Sequence, residues 1–246
     1  MRAKGILKRT GLLLFYFLLW QFLSVAIGKE YLLPSPIAVL HRFFAIVVQK
    51  ESWSIAAATL ARVSAGYMGG VFLGILLGFA TAASRFLETL LTPLRSIIRS
   101  TPVTSIILLA ILFLTSGLVP IFISLLMVAP IVWTSTADAI KRVDRDLLEM
   151  GKTFGFGGNQ MLKTVILPSV QPALLSACTT ALGFAWKSGV AAEIISLPKT
   201  SVGYMLYVSK LTLEAEDLFA WTFLIVILSL LLEKWIAFLL GRIRRD

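Results

Sequence analysis

Residues 54–83 read SIAAATLARVSAGYMGGVFLGILLGFATAA, thirty positions with one charged side chain, Arg62. As an α-helix rising ~1.5 Å per residue, the stretch is about 45 Å long, well beyond the ~30 Å hydrocarbon core of a bilayer. Gly66, Gly70, Gly74 and Gly78 recur every fourth residue. That period puts all four on one helix face, where a second helix can approach closely. The stretch therefore reads as a membrane span with a packing partner.

Composition extends the reading to the whole chain. Of 246 residues, 58% are hydrophobic and 15% charged, and the mean hydropathy is +0.89. A soluble domain carries about 25% charged residues, so there is too little polar surface here to cover a water-soluble globule. An ordinary cytosolic enzyme, a disordered chain and a disulfide-stapled secreted domain are excluded. Cys178 is the only cysteine and His41 the only histidine. No intrachain disulfide is possible, and neither a structural zinc site nor a histidine-based nucleophilic triad has the residues it needs. The net charge of +10 would suggest nucleic acid in a soluble protein. In a membrane protein it follows from the Lys and Arg that collect in cytoplasmic loops, so no nucleic-acid partner is expected.

Apolar segments predict about six spans, near 11–27, 54–83, 101–114, 118–137, 168–195 and 218–240. The expected fold is an all-α integral membrane bundle forming one domain over 1–246. Residues 37–48, which include His41 and Arg42, suit an amphipathic helix on the outer surface. Residues 84–99 read as a cytoplasmic link, and 138–167 as a longer cytoplasmic loop. With that topology sixteen Lys and Arg fall on the side of both termini and five on the other. The imbalance predicts cytoplasmic termini. No internal repeat is visible, unlike many secondary transporters.

The loop carries the most specific pattern. Asp146-Leu147-Leu148-Glu149-Met150-Gly151-Lys152-Thr153-Phe154-Gly155 precedes Val165-Ile166-Leu167-Pro168. On a short helix Leu147, Leu148 and Phe154 offer apolar contacts, Glu149 and Lys152 charged ones, and Gly155 a left-handed end. Gly151-Lys152-Thr153 is the tail of a phosphate-binding GxxxxGK[ST] loop, but Asp146 occupies the place of its first glycine and no strand precedes it. Nucleotide must bind elsewhere. The segment resembles the EAA loop of permease subunits of binding-protein-dependent ABC importers: Glu149 and Gly155 fall at the pattern's Glu and Gly, Met150 and Gly151 replace its two alanines, and the run ending at Pro168 matches its close. Leu33-Pro34-Ser35-Pro36, Thr59-Leu60-Ala61-Arg62-Val63, Ser100-Thr101-Pro102 and Ala191-Ala192-Glu193 are similar to the nitrate/sulfonate/taurine branch.

That resemblance implies a type I importer permease in the cytoplasmic membrane of a prokaryote. It implies two copies of the chain, or one plus a close relative, two cytoplasmic ATPase subunits and an extracytoplasmic solute-binding protein. Leu148, Glu149, Met150, Gly151, Gly155 and Pro168 would belong to a coupling helix that inserts into the ATPase subunit. ATP binding would convert an inward-open pathway to an outward-open one. No cofactor, metal or covalent chemistry is implied. Charges inside spans are costly and are functional candidates. Lys187 and Glu193, with the polar entry Arg99-Ser100-Thr101, are therefore expected on the pathway. Lys187 lies ~28 Å from Pro168, near the outer end of its span, and Trp186 reads as an interfacial anchor. An ion-driven secondary transporter would need paired mid-membrane carboxylates. A membrane-embedded enzyme would need His, Asp or Glu clustered at one depth. Neither pattern is present.

Overall fold

The computed structural model describes residues 2–243; Arg244 and Arg245, part of the basic tail counted above, lie outside the described residues. The chain forms α1 (Arg2–Ile27), α2 (Pro36–Val48), α3 (Lys50–Ala83), α4 (Arg85–Ser100), α5 (Val103–Phe113), α6 (Val119–Lys141), α7 (Arg145–Thr153), α8 (Gly158–Met161), a π-helical turn Leu162–Ile166, α9 (Leu167–Ser196), α10 (Val202–Leu211) and α11 (Ala215–Ile243). No strand occurs among the described residues. Four helical stretches are long and apolar enough to cross a bilayer: Lys50–Ala83, Val119–Lys141, Gly158–Ser196 and Ala215–Ile236. The pair α4 and α5, bent by 105°, adds a fifth when taken together as one broken span. The span expected at 11–27 lies on α1.

The glycine face of α3 packs on α6. A Cβ built on Gly70 would sit 2.6 Å from the Cβ of Val128, and one on Gly74 2.7 Å from that of Val132. Gly66 meets Ser124 and Gly78 meets Thr136 in the same way. The ladder advances four residues at a time on both helices, so α3 and α6 are parallel and in register. Helix association in lipid lacks the hydrophobic drive of water and relies on close packing, which small residues permit. Helix α9 runs the other way. Ser124 Oγ donates to the Ala185 carbonyl (3.1 Å) and Ser135 Oγ to that of Ala173 (3.2 Å). Tyr67 Oη donates to the Cys178 carbonyl (3.1 Å). The core lies where α3, α6, α9, α10 and α11 meet, around Val63, Val132, Ala181, Trp186, Leu206 and Leu224.

Four expectations change. Residues 84–99 are not a loose link: Ser84 caps α4 by accepting from Leu87 N, and the helix runs unbroken through Pro93 to Ser100. Its Glu88 pairs with Lys141, and Arg95 lies over the Trp133 ring at 5.2 Å. Glu88 to Arg95 ascends the chain while Lys141 to Trp133 descends it, so α4 climbs antiparallel along α6. The span expected at 101–114 is correspondingly reduced to the eleven-residue α5, about 16 Å at ~1.5 Å per residue and too short to cross alone. The helix expected to open at Pro168 begins ten residues earlier, at Gly158. Pro168 and Pro172 lack N–H donors, and the chain stays helical by passing through a π turn, in which Leu167 N bonds to the Leu162 carbonyl. Finally, Trp186 lies in the core and is not an interfacial anchor.

Substituting Gly70 or Gly74 by Leu should destabilise the bundle by at least the ~1–3 kcal/mol of an overpacked core, because the opposing atoms include backbone carbonyls. Thermal melting of the solubilised protein measures this. A melting point equal to wild type for both variants would show that the seam is not tightly packed.

Candidate functional site

The end of the bundle where α6 finishes and α8 begins carries α7. Asp144 caps it by accepting from Asp146 N at 2.9 Å. At the other end Phe156 N bonds to the Gly151 carbonyl and Gly155 N to that of Lys152, both at 2.9 Å. This six-to-one and five-to-two pair is a Schellman stop, and Gly155 supplies its left-handed residue with φ of +74°. Nothing of the chain would approach a Cβ at Gly155, whereas one at Gly151 would lie 2.7 Å from the Met161 Cε. Gly151 therefore seats α7 on α8, and Gly155 turns the backbone.

The helix has two faces. Leu148 points inward, against the small cluster around Val143, Val165 and Val170. It is thus part of the chain's own packing and not of the exposed surface expected of it. Leu147, Met150 and Phe154 are 40%, 48% and 71% exposed, and their spacing of three and four puts them on one outward face. Glu149 is also exposed and forms no ion pair within the described residues. Pro168 lies beyond the π turn, exposed at the foot of α9. The sequence offers Leu147, Leu148 and Phe154 alike as apolar contacts of this helix and assigns only Leu148 of the three to the coupling set. The i, i+3, i+7 period was the signal that could have separated them.

The expected pathway residues divide. Glu193 is fully buried. Its carboxylate accepts from Thr59 Oγ1 (2.9 Å) and Gly203 N (3.3 Å) and pairs with Arg62 Nη1 (3.0 Å). Arg62 also donates to the Thr200 carbonyl at 2.8 Å, and Thr59 Oγ1 accepts from Val202 N at 3.0 Å. This cluster ties α3, α9 and the start of α10 together at the end opposite α7. Glu193 is thus part of the packing between α3, α9 and α10. Arg62, the lone charge in residues 54–83, is the cation of this cluster.

Lys187 is different. It is exposed on α9, in line with Ser176, Thr180 and Phe184, which are exposed too. Arg99 and Thr101 lie across from this stripe and share a cavity with Thr180 and Phe184. Ser100 is exposed beside them. Among the described residues Arg99 and Lys187 form no ion pair, unlike Arg42 with Asp217 and Arg62 with Glu193. No group of three or more His, Cys, Asp or Glu able to hold a metal occurs among the described residues.

A bundle of apolar helices with a short, capped surface helix at one end defines a multi-pass membrane component. Residues 70–245 match the family of binding-protein-dependent transport system inner membrane components, and the chain belongs to that family. Among curated relatives, a Bacillus subtilis protein named as an aliphatic sulfonates transport permease, SsuC, is 26% identical over 90% of this chain and 80% of its own. The taurine transport system permease protein TauC of Escherichia coli is 26% identical over 87% of this chain and 80% of its own. The nitrate import permease protein NrtB of Synechocystis is 24% identical over 89% and 82%. The fold is that of the methionine ABC transporter MetNI in an inward-facing form (TM-score 0.59, 22% identity, 78% of this chain and 92% of that one). An amino acid ABC transporter is similarly alike (TM-score 0.57, 17% identity, 82% and 97%).

The buried cluster gives a stability test. Removing one partner of a buried pair leaves the other uncompensated, at about 3–5 kcal/mol. Glu193→Ala should lower the melting point of the solubilised protein. Arg62→Met should do so at least as much, since it leaves the fully buried Glu193 carboxylate without its cation, whereas Glu193→Ala leaves the partly exposed Arg62. Combining them should cost less than the sum. Strict additivity of the two would show that the residues are not coupled.

Proposed function

We propose that this chain is the membrane-spanning half of an ATP-driven importer for a small solute of the sulfonate, nitrate or taurine type. The observation that carries the reading is the outward face of α7. Leu147, Met150 and Phe154 stand in an apolar row on a helix stopped at both ends by its own hydrogen bonds. Such a row at a bundle's end is a partner site, and the partner is a cytoplasmic ATPase subunit. The chain has no complete phosphate-binding loop of its own, so hydrolysis belongs to that partner. Two ATPase subunits serve two permeases, either two copies of this chain or one plus a relative. An extracytoplasmic binding protein delivers the solute. The end bearing α7 is cytoplasmic, as are both termini. Closure of the ATPase pair moves α7 and, through Gly151 on α8 and Leu148 on the Val165 cluster, the feet of α6 and α9. The pathway alternates between inward-open and outward-open states, with Arg99 and Lys187 on its face. Two cations without carboxylate partners suit an anionic solute and do not suit a proton- or sodium-driven carrier.

Co-purification with the ATPase subunit, paired with ATP-driven uptake in vesicles, tests this. Met150→Asp, Glu149→Lys and Gly155→Asp should each weaken ATPase association at least about tenfold while the chain still inserts, since each disturbs a docking surface outside the spans. Full association and full uptake in all three would make α7 an ordinary surface helix. Separately, Lys187→Gln should slow uptake with the assembled complex and its basal ATP hydrolysis intact. Unaltered uptake kinetics would remove Lys187 from the pathway.

A further inference from the structure

Helices α1 and α11 leave an open cleft of about 440 Å³ between them. Tyr16, Leu19, Trp20 and Leu23 line it from α1, at a spacing of three and four that puts them on one helix face. Leu33 adds to it from the segment that joins α1 to α2, and Phe219 and Phe223 form the α11 wall. The Trp20 ring lies 5.8 Å from that of Phe219 and 6.0 Å from that of Phe223. The last turns of α1 are fastened to the joining segment. Trp20 Nε1 donates to the Pro34 carbonyl (3.1 Å) and Ser24 Oγ to that of Leu33 (3.0 Å). Of the α1 side chains described, Ser24 alone is buried. The depth of the cleft follows from the chain. Helix α11 opens with Glu216 and Asp217, and Asp217 pairs with Arg42 of α2, which leads into the start of α3 at the end of the bundle opposite α7. Phe219 and Phe223 lie four and eight residues into α11, about 6 and 12 Å below that end at ~1.5 Å per residue. Half of the ~30 Å hydrocarbon core is about 15 Å, so the cleft lies within one leaflet.

The lining decides what fills the cleft. Trp20 Nε1 is spent on Pro34, and Thr222 Oγ1, on the α11 wall, donates to the Leu218 carbonyl (2.7 Å). That leaves Tyr16 Oη as the remaining polar side-chain atom of the lining. A buried water needs two to four polar partners, which the cleft does not offer. Left empty, its aromatic walls would forfeit their dispersion contacts. The occupant is therefore hydrocarbon. From Tyr16 to Leu23 the lining runs about 10 Å along α1, so the cleft has a cross-section of about 40 Å². A helix ~10 Å across needs about 80 Å² and does not fit, whereas a single extended hydrocarbon chain does. A cation stands near the mouth. Leu32 N and Leu33 N both donate to the Lys29 carbonyl (3.0 and 3.1 Å), a turn that holds Lys29 close to Leu33. Lys29 is exposed and forms no ion pair among the described residues, and its neighbour Glu30 is exposed as well. We infer that the cleft between α1 and α11 seats one acyl chain of a phospholipid from the leaflet opposite α7, with the lipid phosphate beside Lys29. The lipid completes the packing of α1 on the bundle. The importer reading supplies only the name of that leaflet, the extracytoplasmic one.

The test uses the full-length chain in phospholipid nanodiscs containing a trace of phosphatidylethanolamine with a photoactivatable diazirine midway along one acyl chain. Peptide mapping by mass spectrometry locates the crosslinks. Phe15, Leu18 and Phe22 are exposed on the other side of α1, so ordinary boundary lipid should label them as much as the cleft. A seated chain should label Leu19, Leu23 and Phe223 at least about threefold more, because a site encloses most of its ligand's surface. Thr222→Trp fills the cleft from α11 and should reduce that labelling to the level of the other side. Thr222 is exposed, so the variant should fold, and an unchanged melting point verifies this. Lys29→Gln should lower cleft labelling by the phospholipid about threefold, the worth of one exposed ion pair, and leave labelling by a diacylglycerol with the same chains unchanged. Equal labelling of both sides of α1, or cleft labelling untouched by Thr222→Trp, makes this boundary lipid and overturns the seat. Phospholipid labelling unaffected by Lys29→Gln overturns the place given to the phosphate. A cleft that takes no probe, while photo-leucine in place of Leu23 crosslinks to another protein chain, assigns the surface to a protein contact and overturns the inference. Failure of the importer reading would appear elsewhere, as absent ATPase association.

Discussion

Four glycines and the four side chains they admit hold this bundle in register. Gly66, Gly70, Gly74 and Gly78 bring α3 so close to α6 that Ser124, Val128, Val132 and Thr136 fill the places their own side chains would take. In lipid this closeness is the attraction itself, since burying apolar surface gains little when the solvent is also apolar. With α3 and α6 fixed as a parallel pair, α9 docks antiparallel to both. The buried hydroxyls and carbonyls between the three are then satisfied across helices. Gly189 repeats the device against Ser124 and Val63.

Around that rigid trio the polar elements sort by position. At one end α7 is fastened by Gly151 and Leu148 and shows the rest of itself outward. At the other, Arg62 and Glu193 close α3, α9 and α10 into one unit. Helix α4 belongs to neither. It buries no residue, it begins at the extended Ser84 and ends at Thr101-Pro102, and charged and aromatic contacts hold it to α6. A helix attached in this way can change its tilt at small cost compared with any member of the trio.

The sequence was legible wherever the signal was local. The glycine period announced a packing face, and the run from Asp146 to Gly155 announced a capped helix with a left-handed stop. Which helix the glycines face was not legible, because a periodic face specifies closeness and not a partner. Glu193 read as a pathway charge because Arg62 lies 131 residues away in the chain. Residues 84–99 read as a loop because Arg85, Glu88, Arg95 and Arg99 dilute the hydropathy of a helix that is apolar on its other side. Pro168 read as a helix start because proline ends most helices. Here a π turn before it absorbs the missing donor.

The parallel register of α3 and α6 also bears on how the protein is made. Two consecutive spans joined by a short turn are antiparallel, and can pack as soon as both have entered the membrane. Parallel helices cannot: the chain from Ser84 to Leu118 must first return across the bilayer. The Gly66–Ser124 contact closes a loop of 58 residues. Until α4 and α5 have made that crossing, the glycine face of α3 stays open to lipid or to whatever insertion machinery holds the nascent chain. A seam on which the finished bundle relies is therefore one that cannot form during entry of α3 itself.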